Sequence, residues 1–255
     1  LLYALCGVGI AFLLLPRVRP VARCWLGLAL GLALEMWLPL LCALICQFTV
    51  AAHLWALIPL FMLVGLAYLG RDKRSPAPLD DRERKLLRLL LIMALPLTVL
   101  GGYLQWTHVL RPAADGSLHV GQSTYGDLPL HLAIATSLRN ASVPADYSIL
   151  PGALLSYPFL ADSLSTSFML LGFSLRDAIV FPGIVMMGLV FAGYVILAER
   201  MADSRKGAAL AVLFFFVNGG LGFLYLVDMQ GAVLGQSGSN ALQSVSGLWN
   251  RIRLV

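Results

Sequence analysis

The side chains best placed to do chemistry are Asp127 and His131, in the stretch Ser123–Arg139, STYGDLPLHLAIATSLR. They stand four residues apart, so a helix brings both to one face, a turn from each other. A carboxylate and an imidazole at that spacing can pass a proton to or from a reacting group. Asp162, in LSYPFLADSLSTSF, is a further carboxylate, followed by Ser163, Ser165, Thr166 and Ser167. That polar segment is expected to line a cavity open to the outside, and Asp127, His131 and Asp162 to converge on one cleft. Asp127 also has an architectural reading. It precedes Leu128-Pro129, and Asp before an early-helix Pro is a good N-cap. His131 then becomes an interfacial side chain on a helix whose Leu130, Leu132, Ile134 and Leu138 suit the membrane surface.

Other reactive residue types carry less. Glu35 lies inside GLALEMWLPL. A carboxylate in a span costs a few kcal/mol on insertion, so it faces either a neighbouring helix or a wet cavity. Cys6, Cys24, Cys42 and Cys46 lack accompanying His or carboxylate groups at metal-site spacing and read as small hydrophobes. Gly27 and Gly31 form a GxxxG pair, a spacing that lets helices approach closely. The chain has no GxSxG, HExxH or Walker-type motif.

The elements that hold these residues are set by composition. Of 255 residues, 59% are hydrophobic and 12% charged, against about a quarter charged in soluble domains. The fold class is all-α: a polytopic helical membrane protein. The apolar runs are too long and unalternating for barrel strands. Seven spans are expected, at about 1–15, 24–46, 51–70, 86–105, 153–173, 177–198 and 207–228. They group as N-terminal transmembrane helices (1–105), an external loop with an interfacial helix (106–152), further transmembrane helices (153–228) and a polar C-terminal segment (229–255). The chain opens on Leu1 within an apolar run, which reads as a truncated first span. The net charge of +5 reflects Lys and Arg on the cytoplasmic side; nucleic acid is not an expected partner.

With Arg71–Lys85 inside and the spans alternating, thirteen basic residues fall inside and five outside. Arg176 counts as inside in this arrangement. Arg111, Arg139, Arg200, Arg205 and Lys206 count as outside. The discordant piece is Glu199–Gly207, ERMADSRKG. It is an exception to the charge rule, or one of spans five to seven is re-entrant.

The segments STYGDLPLHLAIATSLRN and LSYPFLADSLSTSFMLLGFSLRDA, with Tyr157-Pro158-Phe159 and FFFVNGGLGFLYL (Phe214–Leu226), resemble the integral-membrane glycosyltransferases of the GT-C superfamily. The resemblance covers about 106–226. It implies a helical core, a long first external loop, and an acidic residue early in that loop followed by a His or aromatic residue. Asp127 matches the acidic position and His131 the residue after it. Many members carry two adjacent acidic residues, whereas Leu128 follows Asp127 here.

By that resemblance the donor is a polyprenyl-phosphate sugar held in the lipid bilayer. Asp127 is the general base, and His131 orients it or meets the phosphate. Asp162, Arg139, Arg111 and Tyr157 are the substrate-binding candidates. Arg111 and Arg139 are the only basic residues of the loop and suit the leaving phosphate. The resemblance fixes no cofactor; a divalent metal stays open, though one Asp and one His are too few ligands to claim a site. The implied setting is the bacterial plasma membrane, with the site facing outside. The competing reading is a transporter or flippase-like protein, in which Glu35, Asp162 and the Pro-interrupted spans mark a path.

Overall fold

The computed structural model describes residues 1–120, 126–150 and 152–217. Ser123–Tyr125, most of Phe214–Leu226 and the polar segment 229–255 therefore lie outside the described residues, wholly or in part. Leu1–Ala209 forms one compact unit and Leu210–Val255 a second.

The first unit is built from helices. They are α1 (Leu2–Leu14), α2 (Pro20–Cys46), α3 (Val50–Leu69), α4 (Asp81–His108), α5 (Leu128–Ser137), α6 (Leu160–Leu170) and α7 (Leu175–Ala202). A hairpin of β1 (Leu110–Pro112) and β2 (Leu118–Val120) follows α4, and α8 (Arg205–Phe216) follows α7. Among the described residues, α2, α3, α4 and α7 are long and apolar enough to cross a membrane. This is the composition of an integral membrane protein.

The helices are arranged inside out relative to a soluble bundle. On α3, Ala52, Ala56, Leu60 and Ala67 are buried, while Leu54, Trp55, Phe61 and Met62 are exposed. Lipid is as apolar as leucine, so small residues go to the helix contacts and large ones outward. The GxxxG pair behaves this way. Gly27 and Gly31 of α2 meet the α1 backbone at Tyr3, Ala4, Gly7 and Val8; a Cβ at Gly27 or Gly31 would run into those atoms, and one at Gly7 into the backbone of Gly27 and Gly31.

Two ends can be told apart by contacts. At one, the buried Glu83 at the start of α4 accepts from the Val21 N–H of α2 at 2.8 Å and pairs with Arg19 at 3.4 Å. Glu199, near the end of α7, accepts from Arg19 at 2.8 Å and from Arg82 at 3.1 Å. At the other end, Arg176 in the first turn of α7 donates to the carbonyls of Leu110 (3.1 Å) and Trp106 (2.7 Å). It also stacks 3.9 Å from the Trp106 ring centroid. Helix α7 therefore runs antiparallel to α4.

This corrects the expected path of the chain. The segment 153–173 is not a spanning helix: only Leu160–Leu170 is helical, 11 residues. Both Leu160 and Leu170 pack on the cluster of Leu40, Ala43, Phe48 and Ala52 around the α2–α3 turn. Helix α6 thus starts and finishes at the same end of the unit, and Glu199–Gly207 belongs with Arg19 and Arg82. Arg176 moves to the loop end, and Arg200, Arg205 and Lys206 move to the basic end. Among the described residues the basic split becomes thirteen to three, with Arg111, Arg139 and Arg176 as the minority.

Candidate functional site

The loop end is where the candidate residues lie, and the loop is folded onto the bundle. Ile134 of α5 and its C-cap Leu138 are fully buried against Ala145 and Leu155. The Phe48 N–H donates to the Ala141 carbonyl at 2.7 Å, and the Asn140 N–H donates to the Phe48 carbonyl at 3.0 Å. These two bonds fasten the α2–α3 turn to the segment just after α5. Phe48 itself is 0% exposed, and its cluster is packed by Leu160 and Leu170 of α6.

Helix α5 begins where the sequence places it. Asp127 occupies the N-cap and Pro129 the first turn. The Asp127 side chain makes no capping hydrogen bond and is exposed. The architectural reading of Asp127 therefore lacks its defining contact, and the carboxylate is left facing solvent. His131, one turn later, has its N–H bonded to the Asp127 carbonyl at 3.2 Å.

His131 meets Asp162. Its Nδ1 lies 3.0 Å from one Asp162 oxygen and 3.1 Å from the other. The imidazole is 35% exposed and the carboxylate 7%. The Tyr157 ring stands edge-on to the imidazole, with centroids 5.8 Å apart. The partly exposed imidazole thus carries a buried acid on one nitrogen. An Nδ1–H donating to a carboxylate fixes the ring and leaves Nε2 as the outward acceptor. Burial pushes the Asp162 carboxyl above the usual carboxylate range, and the His131 hydrogen bond and charge pull it back.

The polar face of α6 is buried rather than lining an open cavity, which corrects the expectation for Ser163–Ser167. Ser163, Ser165, Thr166 and Ser167 are all nearly inaccessible. Thr166 donates to the Ala135 carbonyl of α5 at 2.7 Å, Ser163 to Leu160 at 2.7 Å and Ser167 to Ser163 at 3.0 Å. These hydroxyls cross-link α5 to α6 and satisfy themselves along α6. They hold Asp162 opposite His131.

One residue at this end escaped the sequence reading. His53, in the first turn of α3, has Nε2 2.8 Å from Ser167 Oγ and Nδ1 2.8 Å from the Thr49 carbonyl. A lone His in an apolar run signals little; its only cue is a helix start at Thr49, which places a backbone acceptor beneath the ring.

The remaining candidates are spread out. Arg111 on β1 and Arg139 after α5 are exposed, and neither side chain makes a hydrogen bond or ion pair among the described residues. Among the described residues the Asp127 side chain makes no hydrogen bond to His131 or Asp162. Three cavities can be described, and none is lined by Asp127, His131 or Asp162. Among the described residues no three His, Cys, Asp or Glu side chains gather as metal ligands. Glu35 is partly buried near the middle of α2. The hairpin tip is ordered locally: Ser117 donates to Asp115 through Oγ (2.6 Å) and N–H (3.0 Å). Those bonds hold the Asp115 carboxyl below its ordinary range.

No protein-family model, curated protein or solved structure matches this chain.

Proposed function

We propose that this chain is a membrane glycosyltransferase of the GT-C type, moving a sugar from a polyprenyl-phosphate donor to an acceptor hydroxyl. The observation that carries the reading is the partly exposed His131 imidazole backed by the buried Asp162, one helical turn from the uncapped Asp127. Sugar transfer needs a base for the acceptor proton, and the transition state is oxocarbenium-like. Asp127 is that base in this reading. His131, steadied by Asp162 and Tyr157, orients Asp127 or meets the donor phosphate. Arg111 and Arg139 are solvent-facing cations of the same loop, suited to a leaving phosphate.

The thirteen-to-three basic split supports an orientation with the basic end in the cytoplasm and the loop end outside; a bacterial plasma membrane is the setting that fits. Helix α5 then lies at the membrane interface, α1 joins the crossing set, and α6 is re-entrant. This leaves fewer crossings than seven. Re-entrant helix is tolerated at membrane depth where protein covers it, as it covers the polar face of α6.

The test is transfer from a polyprenyl-phosphate sugar in proteoliposomes of the full-length protein. Asp127→Asn keeps shape and capping ability but removes the base. It should lower turnover by about 10²–10⁴-fold at equal expression, and His131→Gln should lower it too. Near-wild-type turnover in Asp127→Asn removes Asp127 from the mechanism.

A further inference from the structure

The opposite end of the unit carries a second polar feature. An open cavity of about 720 Å³ is lined by Arg82, Lys85, Glu199, Asp203, Arg205 and Lys206, with Ser204 among them. Its charges do not cancel. Arg82 bridges Glu199 at 3.1 Å and Asp203 at 3.0 Å, and Glu199 is also held by Arg19 at 2.8 Å. Those acids are engaged. Lys85, Arg205 and Lys206 are exposed and have no ion pair among the described residues. Helix α8, 12 residues long, starts at Arg205, and the Ser204 Oγ accepts from the Gly207 N–H at 3.3 Å. Its positive N-terminal dipole adds to three uncompensated cations.

We propose that this cavity binds the phosphate of an anionic phospholipid headgroup. A free inorganic phosphate offers the same chemistry, but the surroundings favour a lipid. The cavity stands at the ends of α4 and α7, both apolar enough to cross a membrane, so it is level with headgroups. The same two helices carry an apolar groove of about 520 Å³, lined by Leu87, Leu90, Leu189, Ala192 and Ile196 with residues of α2. Ile196 lies three positions before Glu199 on α7, so apolar helix surface begins within one turn of the cavity, as a bilayer-anchored headgroup requires. Basic pockets between helices on the cytoplasmic side are a known form of headgroup recognition.

The experiment uses the full-length protein in nanodiscs of phosphatidylcholine with or without phosphatidylglycerol. Retained phosphatidylglycerol is counted by native mass spectrometry after mild delipidation. Each basic side chain near the surface is worth about 1 kcal/mol. The variant Lys85→Gln/Arg205→Gln/Lys206→Gln should therefore lose affinity for phosphatidylglycerol on the order of a hundredfold. The charge-matched control Arg71→Gln/Lys73→Gln/Arg74→Gln, in the loop before α4, should retain it. Equal retention by wild type and the cavity variant overturns the proposal, as does an equal loss in the control. Inorganic phosphate that displaces phosphatidylglycerol at millimolar concentration, with no preference for the lipid, would show a free-anion site and overturn the lipid as occupant.

Discussion

The bond from His131 Nδ1 to Asp162, 3.0 Å to one oxygen, sets the chemistry available at the loop end. A 7%-exposed carboxylate without that partner would be a costly buried charge. The consequence is measurable through pH. Unfolded aspartate titrates near about 3.9, and burial lifts folded Asp162 above its ordinary value while His131 pulls it down. In His131→Gln the downward pull weakens, so the folded carboxyl rises further. A folded acid with a raised pKa lends stability that is full below the unfolded pKa and lost as pH climbs through the folded value. His131→Gln should therefore melt close to wild type near about pH 4 and fall behind by about 1–3 kcal/mol near neutrality. Melting curves in detergent across that range check it; a gap that stays constant with pH contradicts the coupling. Both partners were visible in the sequence as reactive residue types, because Asp and His are rare in so apolar a chain. Their approach across 31 positions is the part of the expected convergence that the structure shows; that Asp127 stands outside the bonded pair was not legible, since i,i+4 spacing places Asp127 and His131 on one face without fixing which acid the imidazole meets.

At the scale of the elements, the long spans were legible because α2, α3, α4 and α7 are sustained apolar runs. Segment 153–173 was misread for a physical reason. Its apolar content matches a span, but its Ser, Thr and Asp side chains pair with α5 and α3 instead of facing lipid or water. Hydropathy cannot distinguish a crossing helix from a short one whose polar face is covered by protein. The α1–α2 contact is the reverse case, where a weak motif proved structural. Gly31 lies against the Tyr3 carbonyl and the Ala4 Cα, and both are backbone atoms that cannot swing aside. Gly31→Val should lower stability by about 1–3 kcal/mol, as overpacking does, and separate α1 from α2. Gly9 has nothing within 4 Å of its Cβ direction, so Gly9→Ala should be neutral or slightly stabilising. Thermal melts of the two variants in detergent decide this; equal midpoints would mean that the close approach is not what holds α1.

At the scale of the whole molecule, charge and contact agree on one arrangement. The ion-pair cluster of Arg19, Arg82, Glu83 and Glu199 ties the ends of α2, α4 and α7 together, and the same end gathers thirteen of the sixteen described Lys and Arg residues. The charge count in the sequence likewise puts Arg71–Lys85 and the loop that carries Asp127 at opposite ends. It assigned Arg176 and Glu199–Gly207 to the wrong ends because one false crossing inverts everything after it. Single cysteines at Ser117, Ser75 and Ser204 report the arrangement directly. An impermeant thiol reagent should reach Ser117→Cys from outside intact cells, and Ser75→Cys and Ser204→Cys only after permeabilisation. The most direct test of the account combines this sidedness with chemistry. Full-length protein is reconstituted in proteoliposomes of one orientation, and polyprenyl-phosphate sugar and acceptor are supplied from a single side. Transfer should occur when they are supplied on the face carrying Ser117 and fall by about 10²–10⁴-fold in Asp127→Asn. Transfer only from the face carrying Ser75, or none from either face, would contradict it.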